Sequence, residues 1–191
     1  MIFGVICRIS VNNPQLPQTG GRRMSEQKYG PFGLTYEEEK MRLHNIDICG
    51  KYLNVKGPDR NVQRMKFCTD EGIMYLPFSF GHEPRDEEAN KVKLSFKKLG
   101  EKYEDKGFDW FRDWGLSNGT IYSTEDPDFQ FIECDGQSMR FDDRFEDIGY
   151  YQNHYLLPMV FKEGKVDKVY EILNTYAVYE NYGWNKEPKM F

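Results

Sequence analysis

The chain has 191 residues, enough for one domain with a sizeable core, and its 39% hydrophobic and 16% aromatic content excludes a disordered polymer. A formal net charge of −5 withholds the basic footprint that nucleic acid or an anionic membrane demands, so neither is expected as a partner. No apolar run approaches the roughly 18 residues of a membrane-spanning helix.

The first ten residues, MIFGVICRIS, lack the basic lead and the cleavage site of a signal peptide, and residues 11–23 read as a linker rich in Pro, Asn, Gln and Gly. Gly20–Arg23 can be encoded by purine-rich codons that resemble a ribosome-binding site, and Met24 follows at once. The expectation is therefore a natural start at Met24, with 1–23 a disordered extension or upstream sequence and 24–191 a single domain. Cys7, Cys49, Cys68 and Cys134 are irregularly spaced with no CxxC pair, which implies free, mostly buried thiols in a reducing, cytoplasmic setting. Cys49 and Cys68 with His44 and His82 match no recurrent zinc-site spacing, and Cys134 carries no signal of a nucleophile.

Thr35 followed by Glu38 has capping-box spacing and predicts a long first helix with Met41, Ile48, Tyr52 and Val55 as its apolar positions, ending at Gly57-Pro58. A short second helix is expected from Asp59 and Arg60 through NVQRMKF, then a turn at Asp70-Glu71-Gly72, a strand over IMYLPF and a third helix from Asp86 to about Tyr103. The remainder reads as strands: FDWFRDWGLS, GTIYST, FQFIECDG, YYQNHYLLPMVF and KVDKVYEIL, the last two joined as a hairpin at Lys162-Glu163-Gly164. Helices first and antiparallel strands after give an α+β class.

In the last strand Val169, Glu171 and Leu173 share one face by the two-residue period, so a carboxylate points where its neighbours indicate the core. Burial there disfavours the charged form and raises the pKa toward the range useful for acid/base work near neutrality. Glu171 is thus the first candidate for catalysis. His154 lies on the opposite face from Tyr151 and reads as structural or interfacial; His44 and His82 read as surface residues.

The element order resembles the nuclear-transport-factor-2-like fold, a cone-shaped α+β barrel with three N-terminal helices on a curved antiparallel or mixed sheet. CGKYLNVKGPDR, TEDPDFQFIECDGQ, GYYQNHYLL and FKEGKVDKVYEILN resemble the phenazine-biosynthesis A/B family within the SnoaL-like superfamily, across Tyr36 to about Gly183. The resemblance implies a homodimeric, cofactor-free, metal-free protein that helps small cyclic amino-keto carboxylates condense through an imine. It places the family's essential glutamate on Glu171, its pocket tyrosine on Tyr151 and its pocket serine on Ser95.

Two positions depart from that pattern. The family's catalytic histidine falls on Lys91, expected one helical turn before Ser95, and its substrate-anchoring arginine falls at or next to Gln63, where Arg64 is the nearest candidate. Lys91, Ser95 and Arg64 are therefore expected as ligand-binding residues. An isomerase or dehydratase of the SnoaL-like kind, acting on another small cyclic substrate, and a non-catalytic ligand-binding protein remain the alternatives.

Overall fold

A computed structural model describes residues 7–9, 27–57, 59–77, 85–86, 91–97, 115–139 and 150–174. The first helix, α1 (Tyr36–Asn54), starts as the sequence predicts: Glu38 N donates to Thr35 Oγ1 and Thr35 N donates to Glu38 Oε2 at 2.8 Å, closing the capping box. Its buried face is more polar than the apolar spacing implies. Arg42, Asn45, Cys49 and Tyr52 turn inward with Ile46, Ile48 and Leu53, whereas Met41 is exposed and Val55, though buried, is the extended residue after the helix. Helix α2 (Arg60–Met65) follows as expected.

The strands form one mixed sheet. They are β1 (Cys7–Ile9), β2 (Cys68–Leu76), β3 (Arg85–Asp86), β4 (Lys91–Ser95), β5 (Gly115–Ser123), β6 (Phe129–Met139), β7 (Tyr150–Lys162), β8 (Lys165–Tyr170) and β9 (Ile172–Leu173). Their spatial order is β1-β5-β6-β7-β8-β2-β4-β3, with β9 on β7; β2 runs parallel to β8 and the other pairings are antiparallel. Three residues of the N-terminal segment, Cys7–Ile9, pair with β5 through Cys7↔Ser123. The hairpin between β7 and β8 turns on Glu163 and Gly164, with φ of 53° and 75°, the positive pair that a tight two-residue loop requires. His44 Nε2 donates to Gly164 O at 3.0 Å and ties this turn to α1.

Several expectations are corrected. The described residues hold two helices, and the segment expected as the middle of a third, Lys91–Ser95, is a strand paired with β2 from Ile73↔Ser95 to Leu76↔Val92. Helical backbone is reached only at Phe96 and Lys97; the rest of that span to Tyr103 lies outside the described residues. Pairing with β2 decides the conformation, because Lys91–Ser95 alternates polar and apolar residues with a strand period. Asp70-Glu71-Gly72 is not a turn but part of β2, where the register against β8 shifts between Cys68 and Ile73. GLS and GTIYS join into the single strand β5, whose register against β6 shifts between Ser117 and Thr120 around Asn118 at φ 52°.

The inner face of the sheet carries the core. Ile121, Ile132, Cys134, Tyr155, Leu157, Met159, Val166 and Val169 pack with Cys49, Tyr52 and Leu53 of α1. Among the described residues no helix is long and apolar enough to cross a membrane.

Candidate functional site

Glu171 interrupts the path from β8 to β9. Its backbone N–H donates to Tyr75 O at 2.8 Å, which continues the parallel pairing with β2 for one residue. Its parity along the chain is that of fully buried Val169, so the carboxyl enters the inner side of the sheet and is partly buried. Burial pushes its pKa from the ordinary 4.5 to about 6, with Arg64 and then Arg60 drawing it back down. The carboxyl is thereby poised near neutrality beside two cations.

Helix α2 supplies both cations. Arg60 and Arg64 are one turn apart, and each is only 6% exposed. Arg60 is tied locally by an Nη1–H donated to Gly57 O at 3.1 Å. The Arg64 guanidinium lies 4.4 Å from the centre of the Tyr52 ring, a cation–π stack supported from α1. Burial raises the Tyr52 hydroxyl well above its usual range, against an opposing pull from Arg64. Burial likewise pushes the Cys134 thiol up to about 12, so it stays protonated and is a poor nucleophile.

The predicted site residues fall into two sets. Glu171 and Arg64 are coupled electrostatically, Arg64 drawing the pKa of the carboxyl down. Tyr151 lies on β7 opposite Ser138, two residues before buried Asn153; its side chain lies outside the described residues. Asn153 fixes the chain just past Glu171: its Nδ2 donates to Asn174 O at 2.9 Å and its Oδ1 accepts from Asn174 N at 3.1 Å. Ser95 and Lys91 occupy β4 positions of one parity. Ser95 pairs with Ile73, while the alternate position, Leu94, pairs with Met74, which packs on the core and lies beside Val169. The register therefore sets Ser95 and the Lys91 backbone position on the parity opposite to Glu171; the Lys91 side chain lies outside the described residues.

Sequence reasoning misses Arg60, Tyr52 and the clamp made by Asn153. The available signal is the pair of arginines four residues apart on a short helix, with a tyrosine on the inward face of the preceding one.

On the outer face, His154 Nδ1 lies 2.8 Å from Asp135 Oδ1 and its Nε2 3.3 Å from Glu133 Oε1. Tyr122 OH donates to Glu133 Oε2 at 2.6 Å, and Asn118 Nδ2 donates to Asp135 Oδ2 at 2.8 Å. With a carboxylate on each ring nitrogen, the imidazole favours its doubly protonated form, and the Asp135 hydrogen bond raises its pKa. This is an ionic cluster and not a general base.

The sequence profile described as phenazine biosynthesis protein A/B matches residues 26–184. Phenazine biosynthesis protein PhzB1 of Pseudomonas aeruginosa is 28% identical over 151 residues, covering 76% of this chain and 84% of that protein. The crystal structure of the phenazine biosynthesis-related protein PhzB2 from the same species superposes with a TM-score of 0.63 at 24% identity, covering 75% of this chain and 88% of that one. A SnoaL-like protein from Jannaschia, named as a polyketide cyclase, superposes with a TM-score of 0.50 at 10% identity, covering 83% and 94%. The fold is shared with both.

Proposed function

The chain belongs to the phenazine biosynthesis protein A/B family, and we propose that it assists an imine-forming condensation of small cyclic amino-keto carboxylates, with Glu171 as the acid/base. The observation that carries this reading is a partly buried carboxyl on the inward parity of the sheet, fixed by the Glu171 N–H bond to Tyr75 O and raised by burial to about 6 against the pull of Arg64 and Arg60. Addition of an amine to a ketone gives a carbinolamine. Its collapse to the imine needs a proton on the departing oxygen, which leaves as water, and loss of a proton from nitrogen. One enclosed carboxyl performs both transfers in turn, and neither requires a cofactor. Arg64, whose guanidinium lies over the Tyr52 ring, binds the substrate carboxylate in this reading. Tyr151, on the strand that carries Asn153, supplies the pocket hydroxyl that the family resemblance implies. This reading assigns no step to Lys91 or Ser95.

The working unit in this reading is a homodimer. Supporting it is the outer sheet face, where Tyr75 stacks on Tyr170 at 5.0 Å, Phe129 meets Phe131 at 4.9 Å and Leu156 is 42% exposed.

The test is condensation of an amino-oxo-cyclohexene-carboxylate by the purified chain, followed by absorbance and mass spectrometry. The wild type accelerates it, and Glu171→Gln loses roughly 10²–10⁴-fold of the acceleration. No acceleration by the wild type sinks the reading and leaves a SnoaL-like isomerase or dehydratase with another substrate, or a ligand-binding protein.

A further inference from the structure

We propose that Asn153 is a positioning residue, whose side-chain amide stands in for a backbone pair of the sheet and so holds the step from Glu171 to Asn174 on the path that turns the Glu171 carboxyl inward. The inference rests on the function proposed above, in which Glu171 is the acid/base, and adds the residue that places it.

The sheet alone holds that step weakly. Met159↔Val169 and Leu156↔Ile172 belong to one continuous register, so the interruption between β8 and β9 is a gap in the ladder and not a slip. The same register sets Pro158 across from Tyr170 and Leu157 across from Glu171. Proline has no N–H to donate, and the ladder loses a bond there. Beyond the gap β9 has two residues, paired through Leu156↔Ile172 and Tyr155↔Leu173. So short a strand frays unless its far end is fixed.

Asn153, from the stretch GYYQNHYLL, fixes it. The register carries His154 opposite Asn174, and the amide of Asn153 is inserted between them. His154 N donates to Asn153 Oδ1 at 2.9 Å, the same oxygen accepts from Asn174 N at 3.1 Å, and Asn153 Nδ2 donates to Asn174 O at 2.9 Å. One side-chain amide thus makes the donor and acceptor pair that a peptide group would make. Asn153 is 5% exposed, and hydrogen bonds sheltered from water hold more firmly than surface ones.

Glu171 is thereby pinned on both sides. Its own N–H is bonded to Tyr75 O at 2.8 Å, and three residues on the chain is bonded to Asn153, with Leu173 packed against the core between them. Three residues span about 10 Å at most, too short a tether to turn the side chain over while both pins hold. With the Asn153 pin removed, a one-residue slip carries the carboxyl to the other face.

The experiment is carbon-13 NMR titration of the Glu171 carboxyl in glutamate-labelled protein, its signal identified by its loss in Glu171→Gln. Of the groups coupled to it, Arg64 and Arg60 on α2 do not titrate in this range, and burial keeps the protons on Tyr52 of α1 and Cys134 of β6. Wild type is expected to titrate at about 6, and Asn153→Ala close to the ordinary 4.5 as the carboxyl reaches water. Asn153→Ser, whose hydroxyl is too short to bridge both Asn174 groups, is expected to shift the same way and keeps the test decisive if the Ala variant does not fold. Asn45→Ala is the control. It removes another buried amide, bonded to Pro127 O and Asp128 Oδ1 between β5 and β6, and is expected to lower stability while leaving the transition near 6. In the condensation assay Asn153→Ala is expected to lose roughly 10–100-fold of the acceleration, its pH profile moving down with the carboxyl. An unmoved titration in the Asn153 variants overturns the proposal, and so does an equal shift in Asn45→Ala, which makes the effect a general loosening. No acceleration by the wild type overturns the parent reading, while the titration still decides whether Asn153 places the carboxyl.

Discussion

Two groupings of carboxylates and cations lie on opposite faces of the same sheet, and their pKa values move in opposite directions. Glu171 on the inner face has two arginines beside it and still rises to about 6, because burial is the larger effect. Asp135 on the outer face has, among the described residues, Asn118 and His154 as partners, and their hydrogen bonds hold its carboxyl below the ordinary 3.8. Cation count does not decide the sign; water does. The inner grouping is arranged so that a carboxyl retains a proton near neutrality, whereas the outer one is an ion cluster that solvent keeps charged.

A third pair gives the extreme of burial and the largest expected effect. Glu39 and Arg42 are 4% and 2% exposed; Arg42 Nε donates to Glu39 Oε2 at 2.6 Å and its Nη1 to Ser123 Oγ at 3.0 Å, which fastens α1 to β5. Arg42→Leu leaves a buried carboxylate without its partner and is expected to cost about 3–5 kcal/mol in denaturant unfolding. Replacing both partners with apolar residues is expected to recover most of that loss, because neither charge then has to be desolvated. A double variant as unstable as the single one removes the assumption that burial sets the energetics of these pairs.

Glu171 comes next, with the opposite sign. Its folded value, about 6, lies above the ordinary 4.5, so the folded state binds the proton more tightly. This stabilisation is fully present below about 4.5 and is lost as pH rises through about 6, a change of about 2 kcal/mol. Glu171→Gln mimics the neutral acid and is expected to match the wild type near pH 4. At pH 8 it exceeds it by up to about 2 kcal/mol, while losing the condensation activity. An equal stability difference at both pH values would falsify the inward, desolvated placement of this side chain.

How much of this was legible in the sequence depends on whether a local pattern or a distant partner made the decision. Thr35 with Glu38 and Glu163-Gly164 act within their own stretch of chain, and the cap and the hairpin fall where they predict, while α1 ends at Asn54, ahead of Gly57. The inward parity of Glu171 is equally local, since it follows fully buried Val169 by two residues. The stretch after Asp86 is rich in Glu, Ala, Lys and Leu and reads as helix. Within it KVKLS alternates with a strand period, too short a run to outweigh the helical composition around it, and pairing with β2 settles the strand over Lys91–Ser95. The site was half legible for the same reason. Glu171 and Arg64 announce themselves by type and position, but the stack on Tyr52 depends on how α2 crosses α1, and a buried tyrosine reads first as core.

The outer cluster yields the smallest effect and the sharpest contrast. His154 has its pKa raised above the ordinary 6.5, chiefly by the hydrogen bond to Asp135, so its contribution to stability is present below 6.5 and fades as pH rises through the raised value. Its side chain is 56% exposed, which limits His154→Ala to a loss of under about 1 kcal/mol at pH 6. That loss is expected to shrink in molar salt, because exposed charges are screened over a few ångströms there. The pH-dependent difference at Glu171 is expected to survive the same salt, since burial sets it. Measured together on one protein, the two salt responses separate a carboxyl tuned by desolvation from one tuned by its neighbours. If salt erases both differences equally, the inner face is as wet as the outer and Glu171 loses its claim to acid/base work near neutrality.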